Sequence, residues 1–229
     1  MPAPGELSFS APRADTHSRV TAFFRFFLAI PHFILWYLWA IVAGVAVFIA
    51  WFALLFTGRY PAGLYSFVSS FTRYNTRVFA YVYLLSDRYP PFSGSVDEAY
   101  PIELQIGPAK ESYSRLWVFF RIIPLIAVSI INYALSIVLA FSVFFGWFAV
   151  LFLGRMPEGL HNAIAFCVSF QVRASAYGAL LVEKFPSFDA SGDGPATPPA
   201  PVAEPSPFGE TTPAAGSDTG TAGTDPFGR

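Results

Sequence analysis

Apolar residues run almost unbroken from Phe26 to Phe56 and again from Ile122 to Leu153, each run closed by a polar corner, FTGRYPAGL at 56–64 and FLGRMPEGL at 152–160. Between Arg25 and Arg59, and between Arg121 and Arg155, no residue carries a formal charge apart from what His32 holds. Both gaps exceed the roughly 18 apolar residues that license a membrane-crossing helix. A second pattern follows each corner. From Leu64 to Leu85 the apolar positions Leu64, Phe67, Val68, Phe71, Val78, Val82 and Leu85 recur every three or four, while Ser66, Ser69, Ser70, Arg73, Thr76 and Arg77 gather opposite, which predicts an amphipathic helix. Ahead of each long run stands a short alternating stretch, Glu6–Ser10 and Ile102–Ile106, the pattern of a strand. Ser18 and Ser114 then fit helix N-caps, since their hydroxyls can accept from free amides of the first turn.

The two sets of elements are copies. A shift of 96 positions superimposes the corners (Gly58 on Gly154), and the register holds without a gap from Pro12/Pro108 to Phe92/Phe188. Roughly 29 of about 75 positions from Ser18 onward are identical, beyond what shared hydrophobicity gives. They include Phe23-Phe24-Arg25 with Phe119-Phe120-Arg121, Trp51-Phe52-Ala53 with Trp147-Phe148-Ala149, and Arg77 with Arg173. The expected fold is therefore all-α and membrane-embedded: two tandem helical-hairpin repeats, about four transmembrane or membrane-embedded helices, with two short β-strands preceding the repeats. The divisions fall at 1–17 (polar segment with a strand), 18–92 (first repeat), 93–113 (linker with a strand), 114–188 (second repeat) and 189–229 (tail). If the strands pair on one side of a bilayer, each copy crosses it an even number of times, and the simplest arrangement is a parallel rather than an inverted repeat.

The first helix of each copy, about 50 Å long from Phe26 to Gly58, is too long for a simple span of about 30 Å. Pro31-His32 marks the expected bend in copy one, and Pro124, three places out of register, the counterpart in copy two. Small residues kept in both copies, Ala40/Ser136, Gly44/Ala140, Ala46/Ser142, Ala50/Gly146 and Ala53/Ala149, suit close helix packing. At the corners, Gly58 and Gly154 can take the left-handed conformation that ends a helix, and Pro61 and Pro157 suit the first turn of the next. Arg59 and Arg155 can reach headgroup phosphates. The corner reads either as a helix–turn–helix joint alone or as one whose arginines also hold an anion.

Composition agrees with a membrane setting: 54% hydrophobic, 18% aromatic and 13% charged, with mean hydropathy +0.49, where a soluble domain carries about a quarter charged residues. The polar, Pro-rich start lacks the layout of a secretory leader. A single cysteine, Cys167, excludes an internal disulfide and a thiolate cluster. All Lys and Arg except Arg229 precede Phe188, whereas Asp189, Asp193, Glu204, Glu210, Asp218 and Asp225 follow it. That acidic tail of Pro, Ala, Gly, Thr and Ser cannot bury enough apolar area to fold and reads as disordered; within it Phe208 and Phe227 share a Pro-Phe-Gly setting, either a repeated docking peptide or low-complexity drift. Basic residues flank the termini and linker (Arg13, Arg19, Arg88, Lys110, Arg115, Lys184) more than the corners, which on the positive-inside rule places both termini in the cytoplasm of a multi-pass protein.

Candidate chemistry is sparse. Arg77 and Arg173 sit within otherwise apolar helices with no acid inside any of the four segments to pair with, and three readings stand: a helix flat at the interface, a spanning helix with these arginines on a polar seam, or arginines holding an anionic ligand such as a lipid phosphate. Glu158 and His161 have the spacing of a di-metal bundle ligand pair, but copy one has Ala62 and Tyr65 instead, so no metal site is expected. No nucleophile elbow, glycine-rich phosphate cradle or paired carboxylates are present, so neither catalytic residues nor a cofactor are expected and the protein is expected not to be an enzyme; no basic patch supports nucleic-acid binding.

The strings Ala29-Ile-Pro-His32, Phe56-Thr-Gly-Arg-Tyr-Pro61 and Asp87-Arg-Tyr-Pro-Pro-Phe92 together resemble the domain-of-unknown-function 4389 family, with the second copy a diverged version that has Met156 for the tyrosine and Glu183-Lys-Phe-Pro-Ser-Phe188 for the last string. The resemblance implies a tandem-domain protein of the bacterial inner membrane, mainly of actinobacteria, and brings no activity. Two functions are expected from these features: a non-enzymatic membrane accessory or scaffold whose cytoplasmic tail recruits protein partners, or a binder or carrier of anionic lipid or small anionic solute using Arg59, Arg155, Arg77 and Arg173. The expected partners are the lipid bilayer, anionic headgroups and a further copy of the chain in a homo-oligomer.

Overall fold

The computed structural model describes residues 2–14, 17–97, 99–186 and 188. The tail from position 189, with its expected disorder and its two Pro-Phe-Gly settings, lies outside the described residues. Among them are two strands, β1 (Leu7–Ser10) and β2 (Glu103–Ile106), and five helices, α1 (Arg19–Thr57), α2 (Ala62–Val82), α3 (Arg115–Phe120), α4 (Ile122–Leu153) and α5 (Glu158–Gly178). The expected pair of helical repeats is present, each opened by its strand.

Local sequence explains the boundaries. The Ser18 hydroxyl accepts from the Thr21 amide at 3.3 Å and caps α1; Ser114 stands at the start of α3 without making that bond. Gly58 and Gly154 end α1 and α4 with φ of 69° and 72°, and their amides donate to the Leu54 and Val150 carbonyls at 2.9 Å. Pro61 and Pro157 stand one place before the helices they precede, at φ −60°. Against expectation, α1 runs on through Pro31. The break comes in copy two, at Arg121 between α3 and α4, three residues before Pro124. The missing proline amide leaves the Phe120 carbonyl without its helical donor, which is where the helix gives way.

β1 and β2 pair antiparallel with Leu7 opposite Ile106 and Ser10 opposite Glu103. Under the 96-residue shift this register maps onto itself, so a pseudo-twofold axis passes through the middle of the sheet. The same axis governs the helices. The Trp51 indole donates to the Val118 carbonyl at 3.3 Å, and its copy, the Trp147 indole, donates to the Ala22 carbonyl at 3.0 Å. The Tyr113 amide donates to the Gly58 carbonyl at 2.8 Å, and the His17 amide to the Gly154 carbonyl at 3.1 Å. Each long helix therefore starts where the other ends.

This overturns the expected arrangement of two hairpins that cross a bilayer side by side in the same direction. In that arrangement residues 17 and 113 lie across the bilayer from the corners at 58 and 154, whereas here each is hydrogen-bonded to the corner of the other copy. Hydrophobic periodicity set the helices correctly, but the relative direction of two hairpins depends on the linker and sheet, which carry no such signal.

The short helices lie inside. α1 packs on α2 and α4 on α5, α2 also meets α5, β2 packs on α2 and β1 on α5. The polar side of α2 is not bare: Ser69, Thr72, Thr76 and Arg77 are buried because the linker runs along it. The Tyr65 hydroxyl donates to the Gly107 carbonyl at 2.6 Å, and Gly94 comes so near that a Cβ there would stand 2.0 Å from the Ser70 carbonyl oxygen. Of the four helices expected in a membrane, α1 and α4 are long and apolar enough to cross one; α2 and α5 are the covered middle layer. Two hydrophobic cores result, one joining Ala22, Ala80 and Leu84 to Val150, Met156 and Ile164, the other joining Ala50, Leu54 and Val68 to Val118, Ala176 and Leu181. Each draws on both repeats.

Candidate functional site

The largest chemical feature is the outward face of the long helices. Val20, Phe27, Ile34, Ile41, Phe48 and Phe56 form one exposed row on α1, and their copies Leu116, Ile123, Ile130, Ile137, Phe144 and Phe152 form another on α3 and α4. The opposite side of α1, with Ala22, Ala29, Ala43, Ala46, Ala50 and Leu54, is buried. Small residues there let α2 approach closely; bulky ones point away.

Arginines stand at the ends of this face. Arg59 and Arg155 are exposed on the corners. Arg115 lies over Gly58, where a Cβ would stand 3.5 Å from its Nε, and Arg19 lies over Gly154, where the distance would be 3.3 Å. One end of the layer thus carries Arg59 with Arg115, the other Arg155 with Arg19. Both pairs sit at helix C-termini, whose unpaired carbonyls favour cations. Arg19 and Arg115 were not among the sequence candidates, although they align in the repeat and flank the apolar runs as Arg59 and Arg155 do.

The other two sequence candidates lie within the fold. Arg77 is buried, donating to the Ser93 carbonyl at 3.4 Å with its guanidinium 5.6 Å from the Tyr100 ring centre. Arg173 is half-buried on α5. The four expected arginines do not form one site: two are exposed at opposite ends, Arg77 is buried and Arg173 is half-buried on α5. Glu158 and His161 also go separate ways, Glu158 pairing with Arg13 at 3.6 Å and His161 Nε2 meeting the Ala11 carbonyl at 3.3 Å. Among the described residues no three His, Cys, Asp or Glu stand together as a metal site would require.

A buried framework escaped the sequence reading. Arg25 donates to the Tyr81 and Ser86 carbonyls and to Asp87, over the Tyr81 ring at 4.6 Å. Its copy Arg121 donates to the Val182 carbonyl, over the Tyr177 ring at 3.9 Å. Asp87 also accepts from His17 Nδ1 at 3.2 Å and from the Ser18 amide, while Glu183 accepts from the Ser114 amide at 3.3 Å and from Lys110 at 2.7 Å. Each copy thus locks the start of its long helix to the segment after its short one. Burial alone would push the Asp87 carboxyl up, but hydrogen bonds from His17 and the Ser18 amide, with the Arg25 charge, outweigh it and hold the carboxyl below its ordinary value. The signal was in the sequence: Arg25/Arg121 and Asp87/Glu183 keep charge through the duplication.

The family model described as domain of unknown function 4389 matches residues 19–94 and again 115–189, more than half of the 229 residues. The chain belongs to this family. Both 4389 domains begin at the arginine that lies over the other domain's corner, and the first ends at Gly94, against α2. No curated protein and no solved structure matches the chain.

Proposed function

We propose that this tandem 4389-domain protein is a non-enzymatic accessory of the bacterial inner membrane: its apolar outer face holds a bilayer, its four end arginines hold anionic headgroups, and residues 189–229 recruit partner proteins on the cytoplasmic side. The observation that carries the reading is the apolar face bounded at both ends by exposed arginine pairs. An apolar surface of this extent is covered in a working protein, and a basic residue at the edge of an anionic leaflet contributes about 1 kcal/mol. Arg77, buried, and Arg173, half-buried on α5, are not among these end arginines. The alternative reading, a binder of anionic lipid, thus becomes the anchoring half of the scaffold reading, carried by Arg59 and Arg155 with Arg19 and Arg115.

Flotation of the full chain with vesicles tests the anchor. Phosphatidylglycerol vesicles should be preferred over phosphatidylcholine, and Arg19→Gln, Arg59→Gln, Arg115→Gln and Arg155→Gln together should cut that preference at least tenfold. Equal binding to both lipids by the unaltered chain would overturn the headgroup role. For the tail, in-cell crosslinking with and without residues 189–229 should give different partner sets; identical sets would remove recruitment from the proposal.

A further inference from the structure

We infer that α1 and the α3–α4 pair lie in the plane of the membrane, sunk in one leaflet with the pseudo-twofold axis along the membrane normal, and that no helix crosses. The inference rests on the reading that the apolar face meets a bilayer, and it goes on to say how.

Length is the first reason. The exposed row from Val20 to Phe56, and its copy from Leu116 to Phe152, are each 36 residue steps long, or about 54 Å at 1.5 Å per residue. A spanning helix needs an apolar surface of about 30 Å. To fit 54 Å of it into the core, a straight helix would tilt by about 56°, beyond the roughly 40° at which spanning helices are found. No exposed charge interrupts either row; the polar side chains on it include the exposed Tyr37 and its copy Tyr133, which are tolerated at a headgroup boundary.

Symmetry is the second. Two antiparallel helices side by side are exchanged by an axis perpendicular to the plane that holds them, which is the membrane normal when the helices lie flat. The sheet lies on that axis. If the helices stood upright, the axis would lie in the membrane plane and the sheet would sit at mid-depth, with the unpaired edges of a two-stranded ribbon in hydrocarbon.

Charge is the third. Arg13, Arg88 and Glu111 are exposed and Asp97, Glu103 and Lys110 half-buried, all in the segments that lead to and from the sheet. In an upright molecule Glu103, on the sheet at the axis, would lie in the apolar core, where a charge costs several kcal/mol, while Arg13, beside Glu158, and Lys110 and Glu111, beside Tyr113, would stand near the ends. Laid flat, every one of them is in water, and Arg19, Arg59, Arg115 and Arg155 all stand at the rim of one leaflet.

The experiment uses the full chain with Cys167→Ser, bound to preformed sealed vesicles of phosphatidylglycerol and phosphatidylcholine. Spin labels replace Val20, Phe27, Ile34, Ile41, Phe48 and Phe56 one at a time; Ser18→Cys, Thr57→Cys and Glu111→Cys take an impermeant maleimide added outside. The expected result is one depth for all six spin labels, about 5–10 Å below the headgroup boundary, and complete labelling of 18, 57 and 111 from outside. Depths that pass through the bilayer centre, or protection of 18 or 57, would overturn the flat placement while leaving the membrane reading intact. A chain that stays in solution as a dimer with the labels buried between copies would overturn both.

Discussion

The charges that matter most for folding are ones a reader of the sequence would place at a membrane edge. Asp87, with its carboxyl held below the ordinary range by His17, Ser18 and Arg25, contributes stability that is complete above the unfolded carboxyl value of about 4 and is lost as pH falls through the lower folded value. Asp87→Asn should therefore lower the melting temperature at pH 7, and the gap to the unaltered chain should close toward pH 3; a gap that does not depend on pH would mean the carboxylate charge is irrelevant. Two leucines make a second case. Leu84 and Leu180, copies of each other, take the left-handed conformation with φ of 66° and 62°, where glycine is usual, and their neighbours Leu85 and Leu181 close the motif by donating back to Ala80 and Ala176 at 3.0 Å. The backbone costs about 1–2 kcal/mol, and burying a leucine returns about 1.5–3 kcal/mol, so burial wins. Leu84→Ala loses the burial and keeps the strain. Leu84→Gly relieves the strain and should be the milder of the two by about 1 kcal/mol, the reverse of the usual order, as read by denaturant or thermal unfolding.

Among the elements, the indole bonds of Trp51 and Trp147 run between the copies, and each ties a long helix to the start of the other. Trp51→Phe and Trp147→Phe should each cost about 1 kcal/mol, the usual net worth of one such bond. Because they act at opposite ends, the double variant should show the sum to within a few tenths of a kcal/mol; strong coupling would mean that the ends are not independent. Periodicity made most elements legible: the alternation at β1 and β2, the capping Ser18, the corners at Gly58 and Gly154, and the amphipathic α2 were all visible. What stayed hidden was long-range. The polar side of α2 was read as a surface or a seam because nothing local says that Tyr65 reaches Gly107 or that Gly94 closes on Ser70. Arg77 was weighed as a ligand for the same reason: its carbonyl partner on Ser93 lies in a loop with no pattern of its own. Arg59 and Arg155 were legible because a corner exposes whatever it carries.

At the scale of the whole molecule, antiparallel assembly makes a direct prediction. In the Cys167→Ser background, Thr57→Cys with Ser112→Cys should be joined by a short bifunctional maleimide, since the next residues along, Gly58 and Tyr113, are hydrogen-bonded at 2.8 Å. Ser18→Cys with Arg155→Cys, flanking the bond between His17 and Gly154 at 3.1 Å, should behave alike at the other end. Neither pair would crosslink in hairpins laid parallel. The duplicated sequence was read correctly, but a repeat leaves the angle between its copies free; here it is set by eight paired strand residues and two bonds at each end.

A strand register that maps onto itself has a further consequence. A protein carrying one copy of this domain would present half a ribbon, an unmatched corner and an indole with no carbonyl to meet, and an identical neighbour turned through half a revolution would supply all three. Single-copy relatives are then expected to live as homodimers of this same shape, and the linker between positions 93 and 113 is the device that turned a concentration-dependent encounter into a permanent one.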